Sequence, residues 1–265
     1  MNIDQIGVFD SGVGGLTVLR EIANLLPDKK IIYLGDTARV PYGSKSPETV
    51  NKFSEQGIKF LQSKGVKLIV IACNTVSALS LDFLKERTSL PLIGVLEPGA
   101  EKAISLTKKG IIGVIGTEAT IASKAYTKAI MKIDRSVKVV EKSCPLLVPL
   151  AEEGWLRGEI TKKVIQYYLR PILKERIDTL ILGCTHYPLF KDTIQQVVGE
   201  EVKLIDSAKE VALRVREIAG DSSNVDCGFH SYEFFVTDQP ERFARVGKVF
   251  LKKKIYDKVK KINLE

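Results

Sequence analysis

The stretch T-L-I-L-G-C-T-H-Y-P, residues 179–188, combines a buried-strand pattern with polar and reactive side chains at its end. Its first four residues form a short apolar run that is typical of a strand covered on both faces, and the run stops at Gly183. Cys184, Thr185 and His186 follow directly, where a strand of an open α/β sheet gives way to a helix. Because ligands of such sheets bind outside the carboxyl ends of the strands, this stretch predicts chemistry at a strand end.

The same arrangement occurs once before in the chain. Residues 68–72 are an apolar run, and Cys73, Asn74 and Thr75 follow it. Cys184 lies 111 positions after Cys73 (184 − 73). Two thiols that each follow a predicted strand indicate two chemical groups that face one ligand from opposite sides.

The strand pattern of the first half of the chain recurs in the second half at offsets of about 105 to 111 residues. The predicted strands are residues 6–9, 31–34, 68–72 and 91–95, and then residues 111–115, 137–140, 179–182 and 202–205. We infer an internal duplication, which gives two pseudo-symmetric α/β domains with parallel sheets and the active site between them. The predicted domains are residues 1–95 plus 208–265, and residues 96–207, so that the C-terminal segment completes the first domain.

The glycine-rich turn D-S-G-V-G-G (10–15) after the first strand leads into a helix, and so do the loops after the other strands. Predicted helices begin at Leu16 and at Ser46, the second continuing to about Lys64 with Pro47 in its first turn. Two more are predicted from Thr75 to about residue 88 and from about residue 98 to residue 108.

The net charge of +8 is concentrated at the C-terminus of the 265-residue chain. Residues 241–265 contain nine Lys or Arg and three Asp or Glu, which leaves only +2 for the other 240 residues. A nucleic-acid binder is expected to carry its basic face on the core domain, with interleaved aromatic side chains. Ile255, Val259 and Ile262 lie at helical spacing between the lysines, so we predict a docked amphipathic helix and no nucleic-acid partner.

The cysteines and the N-terminus predict a cytoplasmic protein without a membrane partner. Four cysteines without regular spacing do not form a disulfide framework, which fits a reducing compartment. The N-terminus lacks the basic and apolar regions of a signal peptide. No apolar run approaches the roughly 18 residues that a membrane span requires.

The cysteines allow several interpretations. A buried cysteine is commonly an inert small hydrophobe, the interpretation that we give Cys144 and Cys227. Cys73 and Cys184 precede predicted helix N-termini, which should lower their thiol pKa values. A zinc site made of Cys73, Cys184 and His186, or a redox pair of the two thiols, stays open at this point.

Three further side chains are candidates for acid or base chemistry. Asp10 follows the first strand, where it could also cap the next helix, and Glu152 could equally be a solvated charge at a helix end. His186, in a strand-end loop, is a candidate acid or base. His230 lacks such a setting and is interpreted as structural or exposed.

Six segments of the chain resemble the glutamate racemase family, within the wider family of cofactor-independent Asp/Glu racemases. They are F-D-S-G-V-G-G-L-T (9–17), Y-L-G-D-T-A-R-V-P-Y-G (33–43), A-C-N-T (72–75), G-V-I-G-T-x-x-T (113–120), P-L-A-E-E-G (149–154) and G-C-T-H-Y-P (183–188). Each alone is a weak signal, but together, in family order, they are specific.

The resemblance implies a two-domain enzyme that interconverts L- and D-glutamate without pyridoxal phosphate or a metal. Cys73 matches the thiol that acts on the α-proton of the D-enantiomer, and Cys184 the thiol that acts on the L-enantiomer. Asp10 corresponds to the helper of Cys73, and Glu152 and His186 to the helpers of Cys184. The matched substrate-binding positions are Asp10, Ser11, Pro41, Tyr42, Gly43, Asn74, Thr75, Thr117, Thr120, Thr185 and His186.

The resemblance also implies a homodimer that supplies D-glutamate for bacterial peptidoglycan, and hence for cell-wall biogenesis and cell shape. Within the same class, an aspartate racemase or another cofactor-independent amino-acid racemase is the alternative. A thiol-dependent redox protein or a metal protein is the alternative from another class.

Overall fold

The computed structural model describes residues 3–220, 232–253, 255 and 258–264. These residues form ten strands, which lie in two parallel sheets. In chain order the strands are β1 (Gln5–Asp10), β2 (Lys30–Gly35), β3 (Leu68–Ile71), β4 (Leu92–Gly94), β5 (Ile111–Gly116), β6 (Lys138–Ser143), β7 (Thr179–Gly183), β8 (Lys203–Ile205), β9 (Tyr232–Val236) and β10 (Val259–Lys261).

Twelve α-helices of the described residues connect and cover these strands. They are α1 (Leu16–Leu25), α2 (Pro47–Ser63), α3 (Asn74–Leu79), α4 (Leu81–Lys85), α5 (Leu96–Leu106), α6 (Glu118–Ala122), α7 (Ala125–Ile133), α8 (Leu147–Glu152), α9 (Glu159–Leu173), α10 (Lys191–Val198), α11 (Ser207–Ala219) and α12 (Pro240–Leu251). Short 3₁₀ turns occur at Thr37–Arg39, Tyr42–Ser44 and Tyr187–Phe190. None of the helices in the described part of the chain has the length and apolar character to cross a membrane.

The two sheets repeat one topology. The larger sheet has the order β10-β9-β2-β1-β3-β4, and the smaller has the order β6-β5-β7-β8. In each sheet the first strand of the unit pairs in parallel with the second and the third, and the third pairs with the fourth. This confirms the predicted α/β class with two parallel sheets. All eight strands predicted from the apolar runs are present, with ends that differ by at most three residues, the largest difference being the end of β6 at Ser143.

Burial explains why the central strands read as unbroken apolar runs. Every residue of β3 and of β7 is buried, because helices cover both faces of each sheet. One apolar core runs through both units, and a second core fills the other face of the larger sheet.

The helix that was predicted from Thr75 to about residue 88 is divided in the structure. Ser80, which is fully buried, has φ −125° and ψ −8°, so the chain turns between α3 and α4. Leu81 and Leu84 of α4 are then buried in the second core. The sequence carries neither Gly nor Pro at this point, so it gives no signal for the break.

The predicted amphipathic helix at the C-terminus is wrong. Val259 lies in β10, which pairs in parallel with β9, and the N–H of Ile262 donates to the carbonyl of Val236 at 2.8 Å. The edge of β9 offers unpaired backbone groups that a strand satisfies and a helix does not. β9 and β10 of the C-terminal segment pair within the larger sheet, at the edge beside β2.

Candidate active site

The carboxyl ends of both sheets border one cavity of about 230 Å³. Ser11 follows β1, Cys73 follows β3, Thr117 follows β5 and Cys184 follows β7, and all four line the cavity. Each thiol therefore comes from a different sheet, at equivalent positions of the repeated topology. The complete lining is Ser11, Gly12, Val40, Pro41, Tyr42, Gly43, Ser44, Cys73, Asn74, Thr75, Thr117, Glu118, Pro145, Val148, Pro149, Glu152, Cys184, Thr185 and His186.

The structure brings the predicted site residues together, and it places two of them behind the cavity wall. Asp10 and Thr120 do not line the cavity, and both are 1% exposed. Thr120 contacts the lining through its hydroxyl, which lies 2.9 Å from the Thr117 hydroxyl and 3.4 Å from that of Thr75.

Sequence reasoning missed several lining residues that lie within or near the six family motifs. These are Gly12, Val40, Ser44, Glu118, Pro145, Val148 and Pro149. Gly12, Val40, Glu118 and Pro149 lie inside the quoted motifs, and this position is the sequence signal that could have identified them.

Cys73 is nearly fully buried at the N-cap of α3, and its thiol lies 3.4 Å from the Ser11 hydroxyl. Burial and the charge of Asp10 raise the pKa of Cys73 to about 12, although Ser11 and the backbone N–H of Val76 act in the opposite direction. The predicted lowering of this pKa is therefore wrong: loss of hydration outweighs the N–H groups of a helix of only six residues.

Asp10 is a buried carboxylate with an unused oxygen. Its Oδ2 accepts the N–H of Gly12 at 2.9 Å, whereas Oδ1 has no hydrogen-bond partner among the described residues. Burial raises the pKa of Asp10 above its usual value, although the N–H of Gly12 and the charge of His186 act against this. A buried carboxylate with a raised pKa is a stronger base than an exposed aspartate.

Cys184 begins a chain of polar contacts. Its Sγ lies 3.8 Å from Nδ1 of His186, and Nε2 of the same ring lies 3.2 Å from Oε1 of Glu152. The other oxygen of Glu152 accepts from the half-exposed Arg242 at 3.3 Å. Cys184 is followed by a 3₁₀ turn and not by an α-helix, so the helix N-terminus argument does not apply to it.

The contacts of His186 favour its protonated form. Burial alone would lower its pKa, but its contacts with Cys184 and Glu152 raise the pKa of His186 to about 10. The hydrogen bond from His186 lowers the pKa of Glu152, which keeps that carboxylate charged. A cation beside Sγ stabilises negative charge on the sulfur, as a thiolate base requires.

The raised His186 pKa predicts how stability depends on pH. In the folded state His186 keeps its ring proton up to about pH 10, whereas in the unfolded state it loses that proton near pH 6.5. The stabilisation of the fold by protonated His186 is therefore complete below pH 6.5 and is lost as the pH rises to 10. The difference in free energy of unfolding between the wild type and His186→Gln should shrink as the pH rises from 6.5 to 10. An NMR titration, with His230→Gln for assignment, would contradict the account if His186 titrated near 6.5.

Two residues of the first unit pack directly against the Thr185–His186 loop of the second. The Thr17 hydroxyl lies 3.1 Å from the carbonyl of Thr185. A Cβ on Gly14 would lie 2.1 Å from Oγ1 of Thr185 and 2.6 Å from the His186 ring, so only glycine fits there. The position of His186 therefore depends on both units.

The remaining cysteine and histidine predictions have different outcomes. Cys144 is fully buried outside the cavity lining, and Cys227 and His230 lie outside the described residues. Cys73 and Cys184 are free thiols. Among residues 3–220, 232–253, 255 and 258–264, no group of three or more His, Cys, Asp or Glu is placed to hold a metal ion.

Comparison with known proteins identifies the family. The sequence profile of Asp/Glu/Hydantoin racemases matches residues 6–215. A glutamate racemase from Geobacter metallireducens is 51% identical over 98% of this chain and 97% of its own length. The crystal structure of a glutamate racemase isoform from Bacillus anthracis superposes with a TM-score of 0.92, at 41% identity and 98% coverage of both chains. The crystal structure of glutamate racemase from Francisella tularensis in complex with D-glutamate superposes with a TM-score of 0.91, at 38% identity, over 100% of this chain and 99% of that chain. The chain belongs to the Asp/Glu/Hydantoin racemase family.

Proposed function

We propose that the chain interconverts L- and D-glutamate by a cofactor-independent mechanism in which Cys73 and Cys184 transfer protons at opposite faces of the substrate α-carbon. One observation supports this most: equivalent strand ends of two repeated sheets present the two thiols to one cavity. Inversion requires a base on one face and an acid on the other, which a duplicated sheet supplies. The chain's similarity to glutamate racemases makes it an amino-acid racemase that acts on glutamate.

Conversion of L-glutamate begins at Cys184. Its thiolate, stabilised by the His186 cation, takes the α-proton and becomes a thiol. Cys73 donates its own proton to the other face, for which a thiol with a pKa of about 12 is in the correct protonation state. The products are D-glutamate, a Cys184 thiol and a Cys73 thiolate, so the protons balance.

Conversion of D-glutamate requires the Cys73 thiol to lose its proton first. Asp10 is suited to promote this, because its burial makes it a stronger base and its Oδ1 has no partner among the described residues. The ammonium group of the bound substrate adds positive charge to the same cavity, which favours the thiolate. Cys184 then donates from the opposite face.

The cavity offers neutral groups for the substrate carboxylates and ammonium. None of its described lining residues is Lys or Arg, while Ser11, Thr75, Thr117 and Thr185 carry hydroxyls. Asn74 contributes an amide whose Nδ2 donates to the Tyr126 hydroxyl at 2.8 Å. Charged substrate groups can be held by several such hydrogen bonds without a Lys or Arg side chain.

The wider biological role is part of the proposal. We propose that residues 1–95 plus 208–265 form one domain and residues 96–207 the other. We also propose that the protein acts in the cytoplasm, where both thiols stay reduced, and that it supplies D-glutamate for peptidoglycan. A homodimer stays a prediction, which sedimentation velocity at micromolar concentration would test.

A substrate comparison tests the proposed reaction. Purified protein without an added cofactor should abolish the optical rotation of L-glutamate as the racemate forms. It should hardly act on L-aspartate, because the shorter side chain leaves the hydrogen bonds at the far end of the cavity unmade. Circular dichroism of both amino acids at equal enzyme concentration measures this. Faster turnover of aspartate would move the chain to aspartate racemisation, and activity that depends on added metal would count against proton transfer by two thiols.

A further inference from the structure

The loop of residues 36–44 brings Pro41, Tyr42, Gly43 and Ser44 to the cavity, but it has little regular structure of its own. It contains two 3₁₀ turns of three residues each, Thr37–Arg39 and Tyr42–Ser44. Such short turns have weak internal hydrogen bonding. Side-chain contacts must therefore hold it in place.

The loop also reaches across to the second unit. A Cβ on Gly43 would lie 2.7 Å from Cβ of Thr117, which follows β5 in the smaller sheet. The loop thus borders the cavity and contacts the strand end of the smaller sheet. A small displacement of the loop would change every substrate contact that it makes.

Asp36, at the start of the loop, is fully buried and receives three side-chain hydrogen bonds. Nε of Arg39 donates to Oδ2 at 2.6 Å, and the Tyr42 hydroxyl donates to the same oxygen. The Thr237 hydroxyl donates to Oδ1 at 2.9 Å. One carboxylate therefore ties two loop residues to the end of β9.

The partners of Asp36 are themselves fixed. The Thr237 hydroxyl accepts the N–H of Ala38 at 2.8 Å. Arg39 also donates to Gln56 of α2 at 2.5 Å, and its guanidinium lies 4.1 Å from the centre of the Phe53 ring. The Arg39 cation is thus occupied by Asp36 and α2, and Arg39 does not line the cavity.

The Tyr42 hydroxyl likewise donates its hydrogen bond to Asp36, so it does not donate to a ligand. Tyr42 is 2% exposed, and burial together with the Asp36 charge raises the pKa of its hydroxyl, which keeps the hydroxyl a donor. What Tyr42 can offer a substrate is its backbone and its ring.

We propose that Asp36 is a positioning residue that fixes the 36–44 loop over the cavity and thereby sets the affinity for glutamate, leaving the proton-transfer steps to the thiols. The inference rests on the proposed glutamate racemase function. Asp36 itself does not line the cavity, so it acts through the loop. Because a preorganised loop loses less entropy on binding, its loosening weakens binding of both enantiomers.

The test is the split between KM and kcat in Asp36→Asn. The amide has one acceptor oxygen for three donors, so KM should rise about tenfold or more for both L- and D-glutamate, as expected for lost charge-assisted hydrogen bonds. The kcat values should stay within about twofold of wild type in both directions.

Asp178→Asn is the matched control. Asp178 is also buried and accepts from Thr107 and from the N–H groups of Lys108 and Lys109 at 2.6 to 2.7 Å, but it lies at the amino end of β7, away from the cavity. This variant should lose thermal stability while KM stays at the wild-type value. An Asp36→Asn protein with unchanged KM, or with kcat reduced at unchanged KM, would overturn the proposal.

A second pair of variants decides the question if Asp36→Asn does not fold. Thr237→Val removes one donor to Asp36 and should raise KM in the same direction by a smaller factor, whereas Thr237→Ser keeps the hydroxyl and should keep the wild-type KM. Equal KM values for the two variants would contradict the proposal. If the wild type itself did not racemise glutamate, the proposed function would fail instead, so the two failures are distinguishable.

Discussion

Cys73→Ser and Cys184→Ser should each lose racemisation by roughly 10²–10⁴-fold, the range that a positioned acid or base contributes. Inversion needs both thiols in one turnover, so one substitution stops both directions. A serine hydroxyl is a far weaker acid than a thiol, whose pKa is about 8.5 when unperturbed, and it cannot replace the base at neutral pH.

Cys144→Ser is the control for this pair. Cys144 is a third buried cysteine, its Sγ lies 3.6 Å from the Lys142 carbonyl, and it does not line the cavity. This variant should retain the wild-type kcat. Racemisation rates measured for all three variants at one pH decide the matter, and wild-type turnover in either active-site variant would contradict the role of that thiol.

Gly14→Ala should have the second largest effect. The new Cβ would need space already filled by Oγ1 of Thr185 at 2.1 Å and by the His186 ring at 2.6 Å. Moving that ring separates Nδ1 from the Cys184 thiol, and a displacement of about 1 Å can cost about 10²-fold in rate. Overpacking of this kind also costs about 1–3 kcal/mol of folding free energy.

Gly247→Ala separates a positional effect from a general loss of glycine. A Cβ on Gly247 would meet the end of the flexible Leu16 side chain at 2.8 Å, within α12 and away from the cavity. We expect wild-type kcat and a small change in melting temperature, since alanine favours a helix over glycine. If Gly14→Ala kept the wild-type kcat, the dependence of His186 on the packing between the units would be wrong.

The strand framework could be predicted because its signal is local. Apolar runs that end in Gly, Cys or Asp mark the carboxyl ends of β1, β3 and β7, and those ends carry Asp10, Cys73 and Cys184. The repeated spacing indicated two equivalent sheets, and therefore two thiols at one cavity.

Features that depend on distant contacts could not be predicted in this way. The raised pKa of Cys73 comes from burial and from Asp10, which lies 63 positions away (73 − 10). The C-terminal strand forms because β9 has a free edge, a fact that the spacing of Ile255 and Val259 does not contain. The contact between Asp36 and Thr237 spans 201 positions, so no local pattern indicates it.

The most direct test of the central claim asks whether the two thiols divide the work by face. A glutamate analogue with a halogen at Cβ can lose halide after its α-proton is removed, so one working base suffices for a reaction. Cys73→Ser should release halide from the L-form only, through Cys184, and Cys184→Ser from the D-form only, through Cys73. Halide release from both forms at equal rates in both variants would show that proton transfer is not partitioned between Cys73 and Cys184, and would contradict the two-base mechanism.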